Sequence, residues 1–400
     1  MRYRYITLLI IGCLLLIGTA RAVGTPTDSI RLSLLTCAPG DVIYTLFGHT
    51  GIRYEEPARG IDVVFSYGEF DLNTSNFALR FALGQPDYSM GAVEYAHFAA
   101  AYRYYGRDVW QQTLNLTAGE KARLISLLQE NYRPENRVYR YNFFYDNCST
   151  RPRDNIEKSI RGQVVYPAEP KDGSRSYRDI VRQYAKGHPW SRFGMDLCLG
   201  AEADRPITAR AMMFVPIVLM DAFERAEIVD GTDRRPLVEG GTKLVVDTPS
   251  VKRDGWLPTP LQCALLLFIA TCAVTIRGIR RRKGLWGVDL ALFGIAGLAG
   301  CVLAFLSLLS EHPAVHQNWL LLVFHPLHLL MLPYMISCIR KRRRCWYLTL
   351  NLIVLTLFIL FYVLIPQRFD FAVVPLALCL LVRSASNVII GTSQLANLST

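Results

Sequence analysis

The sequence predicts an α+β soluble domain followed by an all-α transmembrane bundle. Three observations predict it. Polarity shifts sharply along the chain: up to about Lys252 it mixes charges, turns and many tyrosines, and after Pro260 it is apolar runs split by short basic loops. Before that shift, strand-like and helix-like segments alternate. At the start, residues 1–22 carry the parts of an export signal. A chain of 400 residues, 51% apolar with mean hydropathy +0.21, has room for such an arrangement.

The first 22 residues read MRYRYITLLIIGCLLLIGTARA. Arg2 and Arg4 form a basic start, Ile6 to Ile17 an apolar core, and Ala20-Arg21-Ala22 a small-x-small cleavage site. An uncleaved anchor is the plainer alternative. A lipid-attachment box at Ile10–Cys13 is disfavoured because the apolar run continues past Cys13. The boundaries that follow are 1–22 signal peptide, 23–250 periplasmic domain and 257–390 membrane domain.

Residues 257–276, 287–309, 318–339 and 345–365 are each long enough to span a bilayer core. Residues 369–390 form a weaker fifth span, interrupted by Arg383. The net charge of +11 is concentrated in two loops between spans: Arg277 with Arg280–Lys283, and Arg340–Arg344. That distribution follows the positive-inside rule and excludes nucleic acid as the reason for the charge. It leaves the soluble domain, residues 310–317 and residues 366–371 outside the cytoplasm, and the C-terminus inside. Asp289 is expected at the interface. His325 and His328 lie within the third span, as functional candidates or as helix–helix hydrogen-bonding groups.

Within the soluble domain, residues 29–40 read as a strand closing at Pro39-Gly40. Asp41 is placed to cap a short helix, and strands follow over 48–54, 61–71 and 109–116. Residues 73–105 are rich in aromatics. Thr117 with Glu120 is a capping-box pattern ahead of an amphipathic helix. Residues 138–160 run from a strand-like stretch into a helix starting near Asn147 or Cys148. Residues 163–176 read as a loop and 224–256 as the linker to the membrane.

Of ten cysteines, only Cys37, Cys148 and Cys198 lie in the soluble domain. An odd number in an exported domain leaves one thiol over. Pairing of Cys37 with Cys198 is one hypothesis, leaving Cys148 free. Two segments then stand out: FGHTGIRY with His49, and YDNCSTRPRD with Cys148. A thiol at a helix N-terminus beside an imidazole has a depressed pKa, so a thiolate–imidazolium pair is expected. The helix-end N–H groups can stabilise a tetrahedral oxyanion, and His49 can return the proton to the leaving group. The bland alternative is a core cysteine and a structural histidine. The polar flank Asp146-Asn147 is unusual around an inert buried thiol. His97 and His188 are isolated, and no metal-ligand spacing, phosphate loop or dinucleotide fingerprint occurs, so no cofactor or metal is implied.

The segments SLLTCAPGDVIYTLFGHTGIRY, VVFSYGEFD and YNFFYDNCSTRPRD resemble the periplasmic domain of the Lnb-type lipoprotein N-acyltransferase family. SEHPAV, NWLLLVFHPLHL and the basic loop resemble that family's membrane part, so the resemblance spans nearly the whole chain. The His-before-Cys order, with Asn147-Cys148 at a helix start, is also similar to the circularly permuted papain-like (NlpC-type) fold, which includes lecithin–retinol acyltransferase. The resemblance implies Cys148 as nucleophile and His49 as base, with Ser66, Tyr67 or Asp71 orienting the imidazole and Asp71 the best charge partner. It implies Asn147, Arg151 and Arg153 as substrate-binding residues. Arg151 and Arg153 would meet phosphate head groups, or else pair with Asp154 or Glu157. The implied partners are a phospholipid acyl donor and a lipoprotein acceptor at the inner membrane. The implied reaction moves an acyl chain, through a Cys thioester, to the α-amine of a lipid-modified N-terminal cysteine. Two rivals remain: a Cys-dependent amidase or peptidase acting on cell-wall peptides, and a non-enzymatic membrane scaffold.

Overall fold

A computed structural model describes residues 29–167, 175–248, 257–281 and 283–398. The export signal at 1–22 lies outside them. Strands β1 (Arg31–Cys37), β2 (His49–Glu56) and β3 (Ile61–Glu69) come first, as the alternation predicts. Then follow α1 (Phe77–Ala82), β4 (Asp87–Glu94), α2 (Tyr95–Tyr104), β5 (Val109–Leu114), α3 (Ala118–Tyr132), β6 (Val138–Arg140) and α4 (Thr150–Ser159). The soluble part closes with β7 (Gln163–Val165), α5 (Tyr177–Tyr184), α6 (Pro189–Cys198), α7 (Ala209–Met212), α8 (Pro216–Glu224), β8 (Glu227–Asp230), β9 (Asp233–Pro236) and β10 (Val238–Val246).

Seven strands form one antiparallel sheet in the order β10-β5-β1-β2-β3-β4-β6. β1 is central and buried on both faces. Leu32 and Leu34 pack into one core with Leu124, Ile156 and Phe223, while Leu35 and Cys37 pack into another with Phe98 and Val109. The capping box at α3 is present: Thr117 N–H donates to the Glu120 carboxylate at 2.8 Å, and Glu120 N–H donates to Thr117 Oγ1 at 3.4 Å.

Three local expectations are corrected. The short turn after Pro39-Gly40 is a 3-10 helix over Ile43–Thr45 that starts from Val42, without a side-chain cap. The loop read over 163–176 contains β7. Most of the linker read over 224–256 is sheet: β8 and β9 join β7, and β10 pairs with the edge strand β5. Gly240 and Gly241, both left-handed, absorb a register shift between Glu239 and Thr242, so a strand carries the glycine pair that otherwise marks a turn.

The C-terminal part is helical: α9 (Pro260–Arg280), α10 (Trp286–Leu309), α11 (Leu327–Arg340), α12 (Trp346–Leu360) and α13 (Val373–Leu398). Among the described residues, four segments are long and apolar enough to cross a membrane, and Trp346–Leu360 is a shorter apolar helix. Asp289 lies in the first turn of α10, packed among helices. It is fully buried and holds Arg383 by two bonds of 2.8 and 2.9 Å, with Thr275 and Asn387 completing the network. The arginine that weakens the last span in sequence is thereby neutralised inside the bundle. His328 bonds the Val323 carbonyl at 3.0 Å and the Tyr347 hydroxyl at 2.8 Å, which is the helix-bonding role.

The soluble domain rests on the bundle end opposite the two basic loops. Gly200 N–H donates to Ala314 O at 2.8 Å, and Asn318 Nδ2 to Leu197 O at 2.7 Å. Arg368 pairs with Asp179 and Asp204. The docked turn is held from beneath by Arg178, which is fully buried yet satisfied by Asp196, Asp204 and the carbonyls of Leu199 and Gly200.

Candidate active site

Gly48 opens β2 at φ +89°, and a Cβ there would sit 2.5 Å from the Cys37 carbonyl oxygen. Only glycine lets the chain pass so close and deliver His49, the first residue of β2, beside the end of β1. Cys148 is delivered by the start of α4. Asn147, almost fully buried, accepts from Ser149 N–H at 2.8 Å and Thr150 N–H at 3.0 Å. It is the functional N-cap, so Cys148 stands at the first position of the helical turn. Asn147 Nδ2 also donates to the carbonyls of Phe143 at 2.9 Å and Phe214 at 2.8 Å, tying this corner to the loop before α8. The Thr50 and Ser149 hydroxyls, 3.0 Å apart, join β2 to the helix start.

His49 and Cys148 line one cavity of about 360 Å³. Its other walls are mostly apolar and include Phe47, Phe70, Phe144, Leu199 and Phe214. Part of the wall comes from the membrane domain, through His312, Pro313, Ala314 and Val315. Thus the loop between α10 and α11 completes the cavity.

Electrostatics correct the expected ion pair. Burial pushes the Cys148 thiol up to about 11, although the Thr50 and Cys148 N–H groups, Ser149 and the Arg107 charge oppose the rise. Burial, with Arg107, brings His49 down to about 4. The resting pair is therefore a neutral thiol and a neutral imidazole. The helix end acts in the expected direction but is outweighed by desolvation.

The remaining predicted residues are placed as follows. Asp71 lines a neighbouring groove with Glu69, Arg80 and Asp87, and its carboxylate accepts from Asn73 N–H at 2.8 Å and Nδ2 at 3.0 Å rather than from the His49 ring. Ser66 is buried on β3 opposite Gly51, and Tyr67 lines the cavity while its hydroxyl accepts from Asn155 at 2.9 Å. Arg151 is held bidentately by Asp146 at 2.6 and 2.7 Å and lies 3.5 Å over the Tyr139 ring. Arg153 is buried against Asp154 and the Arg210 carbonyl. Both guanidiniums are committed internally, and Asn147 is a structural cap. Cys37 and Cys198 are free thiols in different surroundings, Cys37 in the sheet core and Cys198 at the cavity wall, so their pairing is not found.

Two residues escaped sequence reasoning. Arg107, from the turn before β5, donates to Ala38 O at 2.8 Å and projects its charge onto Cys37, His49 and Cys148. Among the described residues its Nη2 is buried without a hydrogen-bond partner, as is the Tyr139 hydroxyl. A Cβ on Gly68 would lie 3.7 Å from Cys148 Cβ and 4.0 Å from that hydroxyl, so Tyr139 is close to Cys148. Neither residue carries a local motif; only the fold brings them in.

Residues 23–186 match a family model described as the Lnb N-terminal periplasmic domain, and residues 252–395 match one described as the Lnb transmembrane domain. No curated protein and no solved structure matches the chain.

Proposed function

The chain belongs to the Lnb-type lipoprotein N-acyltransferase family, and from that premise we propose that Cys148 and His49 perform the acyl transfer. It is a membrane protein with a periplasmic domain and acyltransferase ancestry. The observation that carries the reading is the shared cavity: a thiol and an imidazole in an apolar chamber partly walled by the membrane domain. Such a lining suits a fatty acyl chain better than a cell-wall peptide. The order of His49 on a strand and then Cys148 at a helix start is also consistent with the permuted papain-like arrangement.

The reaction is ping-pong. Cys148 Sγ attacks an ester carbonyl of a phospholipid as His49 takes its proton. The tetrahedral oxyanion is met by the Cys148 backbone N–H, since Asn147 already takes up those of Ser149 and Thr150. The C–O bond breaks, His49 returns the proton, and a lysophospholipid leaves. The α-amine of the lipid-modified N-terminal cysteine then attacks the thioester as His49 accepts a proton from it; the C–S bond breaks, and His49 passes that proton to the departing sulfur, restoring the thiol. Starting from neutral partners, charge separation is confined to the reaction itself, with Arg107 the nearby cation to support the transient thiolate. Carrying an acyl chain through water would cost about 0.8 kcal/mol per CH₂, which a site at the inner membrane's outer surface avoids.

The bundle crosses five times in this reading. Trp346–Leu360 begins beside the basic loop and ends before Arg368, which pairs with the soluble domain. It must therefore traverse, although 15 residues reach only about 22 Å. The test is Cys148→Ser and His49→Ala in the full chain, reconstituted with phospholipid and a diacylated lipoprotein. Loss of N-acylated product, with a fatty acyl adduct on Cys148 of the unaltered protein by mass spectrometry, is expected. Undiminished N-acylation by either variant would sink the mechanism.

A further inference from the structure

Large apolar side chains stand exposed at the wall of the Cys148 cavity and on the segment that runs into α1. Ile43 and Tyr44 lie on the 3-10 turn, Leu72 on the following segment, and Leu79 and Phe81 on α1, each 43% to 62% exposed. Ring contacts connect Tyr44 to Phe81: Tyr44 to Phe70 at 5.7 Å, Phe70 to Phe77 at 5.6 Å and Phe77 to Phe81 at 6.3 Å. The contacts then reach the membrane domain, with Phe81 6.0 Å from His312. Gln85 Nε2 donates to Glu311 at 2.6 Å, and Glu311 N–H to Leu83 O at 2.8 Å. Glu311 follows two residues after Leu309, which with Leu308 ends the membrane helix α10; the two leucines are 76% (Leu308) and 61% (Leu309) exposed. The exposed rim thus continues directly from lipid-facing helix surface.

An apolar patch of this kind calls for a partner. Continuity with the spanning helices identifies it, because the end of α1 touches residues 311 and 312, which follow α10 directly. We propose that the 42–45 turn and the 72–81 segment dip into the outer leaflet and form a lateral lipid portal. Ile43, Tyr44 and Phe81 belong both to this rim and to the cavity wall. An acyl chain would then slide from leaflet to Cys148 without meeting bulk water. The occupant is the bilayer in which α9–α13 sit. The inference rests on the reading of Cys148 as an acyl-transfer site only for its purpose, not for its geometry.

The experiment places the photoreactive residue p-benzoylphenylalanine at Leu72, at Leu79 and, as control, at Val165 on the small sheet. The full chain is reconstituted in phosphatidylethanolamine–phosphatidylglycerol vesicles with radiolabelled acyl chains. Irradiation is expected to label the protein about tenfold more at positions 72 and 79 than at 165. Equal labelling at all three, or adducts to protein alone, would overturn the proposal. Leu72→Asp and Leu79→Asp provide the second arm. They are expected to slow transfer from vesicle lipid about tenfold while alkylation of Cys148 by iodoacetamide stays unchanged. Unchanged transfer from vesicles would overturn it as well. Lipid labelling in a protein that never forms an acyl-Cys148 adduct would refute the acyltransferase mechanism and leave the portal standing.

Discussion

Replacing Asn147 tests how Cys148 is held. Its side chain is 2% exposed and makes four hydrogen bonds, two accepted from the first turn of α4 and two donated to Phe143 O and Phe214 O. Asn147→Ala removes the cap, worth about 1 kcal/mol. It also strands buried carbonyls, and losing one partner of a buried bond costs about 1–3 kcal/mol. The expected loss is about 3 kcal/mol, which lowers the Tm of a domain this size by about 6–12 °C. Asn147→Ser keeps an acceptor for the Thr150 N–H and recovers about 1 kcal/mol of it. Because Asn147 also sets where Cys148 stands, kcat falls about 100-fold while KM changes little. Thermal unfolding in detergent and steady-state transfer from vesicles measure the two effects. An Asn147→Ala protein that melts within a degree of the parent and alkylates Cys148 at the parent rate would refute the reasoning.

Because burial holds the Cys148 thiol up at about 11, its alkylation in the resting protein should climb about tenfold per pH unit from neutrality to pH 10; a plateau near neutral pH would instead signal a standing thiolate–imidazolium pair. The same shift sets a stability trend. Cys148 at about 11 and Cys37 at about 12 keep their protons after the unfolded chain's thiols have released theirs, so their contribution is complete below the ordinary thiol value and declines as pH rises through these values. Urea midpoints that match at pH 7.5 and pH 10 would contradict it. In the bundle, Asp289→Ala strands the buried Arg383 and should cost about 3–5 kcal/mol in detergent unfolding. The double change Asp289→Leu with Arg383→Met should restore most of that, and an equally unstable double variant would show that the pair is not what matters.

Some of this was legible locally. The Thr117–Glu120 cap and the strands β1 to β3 are signals carried within a few residues of spacing, and the structure realises both. His49 and Cys148 were singled out by their segments, because a thiol at a helix start is a pattern in sequence. The β10 edge strand was hidden by Gly240-Gly241, which mimic a turn until β5 supplies a partner. Asp71 had the right charge for His49, but its carboxylate is taken up by its neighbour Asn73.

By itself, then, the sequence determined the membrane class, the division into a periplasmic domain and a helical part, and most central strands. These depend on hydropathy, spacing and capping, all properties of contiguous chain. Tertiary structure alone decided that the thiol rests protonated, that Arg107 and Tyr139 stand near it, and that a loop of the membrane domain closes the cavity. Desolvation and enclosure depend on segments far apart in the chain, and no local pattern encodes their sum.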